Sequence, residues 1–288
     1  MSRFIEELGA FAREHWNGAI RVASARGDGP VESLDLRPAS LCLNVYSVAK
    51  TFTMTALGLL FDRGLIDPQD RLCDILSDEL PPRGMDERWR GVTLDMLLRH
   101  RAGMPAGFLD IDVTDPRTFT DDYLGYALTQ PLAYAPDTKA RYSDGAYYLL
   151  ARAVEKRAGM ALDTFLWREA LTALSFRELA ASRDPRGHVI GATGMYMGAA
   201  DMVRLGQVYL GGGTYQGRRI LLRAWVDTAL SRGYALDRTA GGRAYAKGGM
   251  YGQMLIVAPD LGRVAAVQAF GHGGGPIAEF VAGYGDGD

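Results

Sequence analysis

The sequence contains little cysteine, histidine or lysine, and no apolar run of membrane-spanning length. The two cysteines, Cys42 and Cys73, make neither a disulfide framework nor a metal site, so we expect two free, partly buried thiols. The four histidines are scattered without paired ligand spacing, which excludes a zinc motif. The N-terminal residues follow helical spacing with glutamates among them, which argues against a secretory signal. These absences predict a cytoplasmic protein with no membrane span and no metal.

The charge balance also excludes some partners. The chain has 34 acidic and 32 basic residues, a formal net charge of -2, so there is no electrostatic case for binding nucleic acid or an anionic membrane. An apolar content of 48% and a charged content of 23% are ordinary for a globular protein. Only 4 of the basic residues are lysines, so the position of each lysine is informative.

Strand patterns lie near both ends of the chain, and helical patterns fill its middle. Residues 19–25 and 31–36 predict two strands joined by a Gly/Pro-rich turn. Residues 244–257 and 263–270 flank a Pro/Asp/Gly turn and predict a hairpin. Residues 47–184 predict helices almost throughout.

This distribution predicts an α/β (α+β) fold with two lobes. Residues 1–46 and 185–288 would form one lobe, with an antiparallel sheet flanked by terminal helices near 2–16 and 276–284. Residues 47–184 would form a large all-helical lobe inserted between the two halves of the sheet. A cleft between two such lobes is a common place for an active site.

A first motif lies where the central helix is predicted to begin. Ser47 is followed three residues later by Lys50, and the apolar run that continues to Phe61 ends at Arg63-Gly64. Ser47 could be an ordinary N-cap. Alternatively, Lys50 lies one helical turn away, and a lysine with a lowered pKa could take the serine proton and make Ser47 a nucleophile.

A second motif, Tyr142-Ser143-Asp144, precedes the longest predicted helix. Tyr142 could pack at a lobe interface, and Ser143-Asp144 could be a helix cap. Alternatively, a phenol close to a lysine can pass protons between a serine and a leaving group.

A third motif, Lys247-Gly248-Gly249, is predicted to open the first strand of the hairpin. It could be an edge-strand lysine beside a bulge. Alternatively, glycines in a strand allow close approach of a ligand, and the N–H group of Met250 could form an oxyanion hole with that of Ser47. Lys247 would then hold a substrate anion or the tyrosine oxygen.

Together the three motifs resemble those of the penicillin-recognising serine hydrolases, which include class C β-lactamases, DD-peptidases and related esterases. Three further stretches, 60–67, 97–105 and 200–206, read like this family, and the likeness covers roughly residues 40 to 270. The resemblance implies a β-lactamase/transpeptidase-like fold and an acyl-enzyme on a small ester, amide or β-lactam substrate. It implies no metal or organic cofactor.

The sequence departs from the family pattern in two of the motifs. Asp144 stands where the family usually has Asn, and a carboxylate there could hold Lys50 charged and weaken it as a base. Gly248 replaces the hydroxyl residue that would bind a substrate carboxylate, and Gly252-Gln253 resembles relatives that cleave esters or small amides. No role follows for His272, which could line the cleft or lie in a surface turn.

The sequence therefore favours a carboxylesterase or amidase. Ser47 would attack the carbonyl, Lys50 and Tyr142 would move the proton, and the N–H groups of Ser47 and Met250 would bind the oxyanion, with Lys247 orienting Tyr142 or a substrate anion. A β-lactamase or DD-peptidase-type penicillin-binding protein is the first alternative. A non-catalytic binding protein on the same scaffold is the second.

Overall fold

The computed structural model describes residues 1–271 and 276–285, so His272 lies outside the described residues. None of the helices in these two ranges is both long and apolar enough to cross a membrane. Cys42 and Cys73 are free thiols, as predicted, and Cys73 is buried.

The chain divides into two compact units, each built from discontinuous segments. Unit 1 contains residues 1–51, 170–180 and 195–288, and unit 2 contains residues 52–169 and 181–194.

Helices and strands alternate irregularly along the chain. The α-helices are α1 (Arg3–His15), α2 (Ala49–Phe61), α3 (Leu72–Ile75), α4 (Leu94–Leu98), α5 (Tyr123–Thr129), α6 (Asp144–Ala158), α7 (Leu162–Leu166), α8 (Ala199–Leu210), α9 (Arg223–Arg232) and α10 (Ile277–Gly283). The strands are β1 (Ala19–Arg26), β2 (Glu32–Asp35), β3 (Leu43–Asn44), β4 (Ala180–Ala181), β5 (Met195–Met197), β6 (Thr214–Tyr215), β7 (Arg218–Arg219), β8 (Asp237–Thr239), β9 (Ala244–Gly249), β10 (Gln253–Ala258) and β11 (Arg263–Ala269).

Unit 1 is organised around a 6-stranded antiparallel sheet in the order β2-β1-β11-β10-β9-β8. Helices α1 and α10 pack on one face of this sheet, where Leu8 and Val281 join Val22 and Val267 in a buried cluster. Helix α8 packs against β1, β10 and β11 on the other face. The predicted fold class, an antiparallel sheet with flanking helices, is confirmed.

The central strands are buried at nearly every position because helices cover both faces of the sheet. All seven residues of β11 are buried, and β1 is buried from Ala19 to Ala25. A strand covered on one face only would alternate between apolar and polar residues. The edge strand β2 does alternate, between half-buried and exposed positions.

The predicted hairpin is present, but its first strand is not continuous. A 3₁₀ turn over Met250–Gly252 separates β9 from β10. In this turn Tyr251 and Gly252 have φ angles of 60° and 90°, which reverse the chain. Consequently Lys247-Gly248-Gly249 ends β9, and the expectation that it opens the first strand was wrong.

Unit 2 contains helices, but the expectation that residues 47–184 are almost entirely helical was wrong. Its helices α3, α4, α5 and α7 are short, and turns and irregular segments connect them. Helix α7 is followed directly by a π-helical turn over Trp167–Leu171. The long helix α6, which is buried from Asp144 to Glu155, packs against α3, α4 and α7.

Candidate active site

Ser47 lies in a short connection that three hydrogen bonds hold in place. Strand β3 pairs with β5, and the amide of Val45 continues this ladder by donating to the carbonyl oxygen of Met195 at 2.8 Å. The Asn44 side chain then accepts from the amide of Tyr46 at 2.8 Å, and the Val48 amide donates to the Val45 carbonyl at 3.1 Å. Ser47 therefore lies in a 3₁₀ turn, Tyr46–Val48, and the predicted α-helix begins two residues later than expected.

The Ser47 and Lys50 side chains are in direct contact. The Lys50 Nζ atom lies 3.1 Å from Ser47 Oγ, at hydrogen-bonding distance. Lys50 has 0% of its surface exposed, whereas Ser47 is half-buried. A serine that a substrate can reach is thus paired with an amine removed from bulk water, which is the arrangement needed for an activated nucleophile.

The end of β9 packs closely against the turn that carries Ser47. A Cβ atom at Gly249 would lie 2.4 Å from the Val45 carbonyl oxygen and 3.3 Å from the Ser47 amide nitrogen. Only glycine fits this position without displacing the neighbouring backbone. The close approach brings the residue before Met250 to the Ser47 amide, as an oxyanion hole formed by these two N–H groups requires.

Lys247 is buried and lies near the carboxyl group of Asp237. Only 6% of its surface is exposed. Its strand pairs with β8, where burial raises the pKa of Asp237 and the positive charge of Lys247 opposes that rise. Lys247 is therefore held by its surroundings, and it is not a solvated edge-strand lysine.

Tyr142 and the residue that supports it belong to unit 2. The Tyr142 side chain is 43% exposed, and its ring lies 4.5 Å from that of His100. The His100 Nδ1 atom accepts a hydrogen bond from the Ser143 amide at 3.3 Å, and the His100 carbonyl accepts from the Arg141 amide at 2.8 Å. No sequence motif points to this role of His100, because only its three-dimensional position shows that it holds residues 141–143.

Ser143 occupies the N-cap position of α6, but its side chain makes no capping hydrogen bond. Its hydroxyl oxygen is buried and has no partner among the described residues. The expectation of an ordinary Ser-Asp cap is therefore not met at Ser143.

Asp144 belongs to a group of three carboxylates in unit 2. Oxygen atoms of Asp110, Asp112 and Asp144 lie within 4.8 Å of one another, and only Asp144 is buried. The Thr193 hydroxyl donates to Asp112 at 2.5 Å. Within the described ranges these are the residues spaced to hold a cation, but carboxylates alone do not identify one, and we assign no metal here.

The structure thus places Ser47, Lys50 and Gly249 together in unit 1, and Tyr142 and Asp144 together in unit 2. The participation of Tyr142 in the chemistry of Ser47 stays a prediction.

The chain is similar to known proteins both in sequence and in fold. The family model described as "Beta-lactamase" matches residues 13–281. Among curated proteins, the D-alanyl-D-alanine-carboxypeptidase/endopeptidase AmpH of Escherichia coli (strain K12) is 27% identical over 266 residues. The match covers 82% of this chain and 66% of AmpH, so the chain spans slightly less than two thirds of that relative's length.

Solved structures share the fold at low sequence identity. A family VIII carboxylesterase superposes with a TM-score of 0.70 at 16% identity. The alignment covers 97% of this chain and 95% of the carboxylesterase chain. A D-stereospecific amidohydrolase from Streptomyces sp. superposes with a TM-score of 0.68 at 18% identity and covers 92% of this chain and 93% of its own. At these identities the likeness concerns the fold.

Proposed function

Because the chain belongs to the β-lactamase family of serine hydrolases, we propose that it hydrolyses a small ester or amide through an acyl-enzyme on Ser47. The observation that carries the proposal is the 3.1 Å contact between Ser47 Oγ and the fully buried Lys50 Nζ. A half-exposed hydroxyl beside a buried amine is suited to attack on a carbonyl carbon.

The reaction proceeds in two halves. Ser47 Oγ bonds to the substrate carbonyl carbon while its proton passes to Lys50, and the N–H groups of Ser47 and Met250 stabilise the oxyanion. The C–O or C–N bond then breaks, and Tyr142 and Lys50 deliver a proton to the leaving alcohol or amine. Water adds to the acyl-enzyme, the carboxylic acid leaves, and the Ser47 hydroxyl is restored. Lys247 orients Tyr142 or a negatively charged substrate group.

An ester or amide is favoured over a β-lactam by the third motif. Gly248 has no hydroxyl to bind the carboxylate that β-lactams and D-Ala-D-Ala peptides carry. The similarity in fold to a carboxylesterase and an amidohydrolase agrees with this choice. The 27% identity to AmpH favours the alternative of DD-peptidase or β-lactamase activity. The presence of Asp144 and Gly248 motivates a second alternative, a non-catalytic binding protein.

The first test is covalent labelling with a fluorophosphonate, followed by intact-protein mass spectrometry. We expect one adduct on the wild type, none on Ser47→Ala, and labelling at least about a hundredfold slower on Lys50→Met, because that variant lacks the proton acceptor. Ser231→Ala, which alters an exposed serine in α9, is the matched control and should label like the wild type. Absence of an adduct on the wild type would favour the binding protein.

Labelling alone does not identify the substrate class. Rates with a simple ester, a simple amide and a chromogenic cephalosporin, each measured for the wild type and Ser47→Ala, separate the alternatives. Efficient Ser47-dependent cephalosporin hydrolysis with slow ester and amide cleavage would overturn the ester or amide assignment and leave the acyl-enzyme intact.

A further inference from the structure

Three aromatic side chains of unit 1 form a continuous row that begins next to the nucleophile. The Tyr46 ring contacts the Tyr251 ring edge to face, with centroids 5.3 Å apart. The Tyr251 ring in turn stacks on that of Phe270 at 4.9 Å and an interplanar angle of 30°. We call Tyr46, Tyr251 and Phe270 the aromatic wall.

The wall is attached to the two residues that supply the proposed oxyanion hole. Tyr46 directly precedes Ser47, and Tyr251 directly follows Met250. Both tyrosines have positive φ angles, 46° and 60°, a conformation that is a genuine outlier for a bulky side chain. Backbone strain of this kind persists where the surrounding structure imposes it, and it concentrates at functional sites.

The surroundings do hold the wall in place. The Tyr251 carbonyl accepts a hydrogen bond from the Gly271 amide at 3.3 Å, and the Phe270 amide donates to the Gly18 carbonyl at 2.9 Å. The two rings that stack on each other are therefore carried by backbone segments that are bonded to each other. Such an arrangement presents a preformed surface.

Exposure increases along the wall from Tyr46 to Phe270. Tyr46 is half-buried, Tyr251 is 37% exposed and Phe270 is 66% exposed. The exposed parts of the two outer rings amount to roughly 200 Å², given the area of an aromatic side chain. This is far less than the ~800 Å² that each partner of a stable protein complex contributes. A surface of this size matches a small planar ligand.

We propose that the aromatic wall binds an aryl group of the ester or amide substrate, an inference that deepens the proposed function and rests on it. The aryl group would stack on Phe270 and Tyr251 while the carbonyl group binds to the N–H groups of Ser47 and Met250, the chain neighbours of Tyr46 and Tyr251. The wall thus selects aryl-bearing substrates over small aliphatic ones.

The test compares three esters: ethyl acetate, ethyl phenylacetate and benzyl acetate. Wild-type kcat/KM should be about tenfold higher for at least one of the two aryl esters than for ethyl acetate, as expected from ring stacking and apolar burial. Phe270→Ala should reduce this preference about fivefold, mainly by raising KM. Phe270→Tyr keeps a ring and should retain the preference. The ester that shows the effect tells whether the acyl or the alcohol part contacts the wall.

Leu65→Ala is the matched control, since Leu65 is an exposed apolar residue of unit 2 and should leave the preference unchanged. Equal losses for all three esters in Phe270→Ala would show a structural role and overturn the proposal. An unchanged preference together with an altered oligomeric state would assign the rings to a protein contact and would overturn it as well.

If the protein is not a hydrolase, the aromatic wall is tested by ligand binding instead of catalysis. If the wild type neither reacts with a fluorophosphonate nor cleaves any ester, the binding of benzyl acetate to Ser47→Ala is measured by saturation-transfer NMR. If benzyl acetate binds to Ser47→Ala but not to the double variant Ser47→Ala/Phe270→Ala, the aromatic wall binds an aryl group although the protein does not catalyse hydrolysis. Absence of binding to Ser47→Ala overturns the proposal.

Discussion

Gly248 and Gly249 are neighbours in sequence, but the space around them differs. A Cβ atom at Gly249 would lie 2.4 Å from the Val45 carbonyl oxygen, whereas one at Gly248 would meet nothing closer than the Met254 methyl at 3.7 Å. Neither glycine has a positive φ angle, so backbone conformation alone does not exclude alanine. The difference between the two positions is therefore purely one of contact.

We expect Gly249→Ala to reduce kcat/KM for esters by about a hundredfold, the order seen when one oxyanion-hole donor is lost. The added methyl would push against Val45 and the Ser47 amide and would move the Ser47 N–H group out of position. Steady-state kinetics of both variants check this, and Gly248→Ala should show a far smaller loss. Comparable rates for the two variants would contradict the close approach of β9 to Ser47.

Residue-scale prediction from sequence succeeded for pairs that are close in the chain. The spacing of Ser47 and Lys50 fixes their contact, because one helical turn separates them. The supporting role of His100 depends on a contact with Tyr142, 42 positions away, and on a backbone turn that no short pattern encodes. The same holds for the ring stack between Tyr251 and Phe270.

At the scale of elements, helix α8 shows how packing can outweigh helix propensity. Gly206 lies within α8, where alanine would be favoured by about 1 kcal/mol on propensity alone. A Cβ atom there would lie 2.5 Å from Val264 Cγ1 and 3.1 Å from Leu255 Cδ1, on the sheet beneath. The glycine therefore allows the helix to approach β10 and β11.

We expect Gly206→Ala to lower the free energy of unfolding by on the order of 1 kcal/mol. The steric strain of the added methyl group costs more free energy than the higher helix propensity of alanine contributes. Thermal unfolding followed by circular dichroism measures this. Gly283→Ala in α10 is the control, because its nearest neighbour would be Arg243 Nη1 at 3.6 Å, and it should be neutral or stabilising. A raised melting temperature for Gly206→Ala would contradict the tight packing.

Elements with strong local signals were predictable, and their interruptions were not. Strands β1 and β11 lie where the apolar runs over residues 19–25 and 263–270 predict them. The turn that divides β9 from β10 has Met250, Tyr251 and Gly252 in place of a Pro- or Asn-rich turn, so the residues 244–257 look like one strand. The turn forms because the tertiary structure imposes positive φ angles on Tyr251 and Gly252.

At the scale of the whole molecule, the chain passes between the two units within helix α2, between Thr51 and Phe52. An uninterrupted apolar helix gives no sign of such a boundary in the sequence.

Charged groups are distributed in a way that makes the stability of the whole chain depend on pH. Burial raises the pKa of Asp201 and of Asp237 in unit 1, whereas ion pairs and hydrogen bonds lower that of several carboxyls in unit 2.

Among the carboxyl groups with a lowered pKa, Asp86 has the clearest structural cause. The Arg88 side chain donates to its carboxylate at 2.6 Å, and the amides of Arg88 and Leu132 donate at 3.0 Å. These contacts hold the pKa of Asp86 well below its ordinary value, with the Arg88 side chain as the largest cause. Because the folded-state pKa is depressed, the ionised carboxylate stabilises the fold above its unfolded-state pKa, and this contribution is lost as the pH falls towards the folded-state value.

Asp86→Asn should therefore be less stable than the wild type at pH 7, and the difference should shrink steadily below about pH 4, where the unfolded-state carboxyl begins to bind protons. Urea unfolding at pH 7, 5 and 3 gives the free energy of both proteins. Asp28→Asn, at an exposed turn position between β1 and β2, should track the wild type at each pH. A gap between Asp86→Asn and the wild type that stays constant from pH 7 to pH 3 would mean that the hydrogen-bond geometry of Asp86, and not its charge, stabilises unit 2.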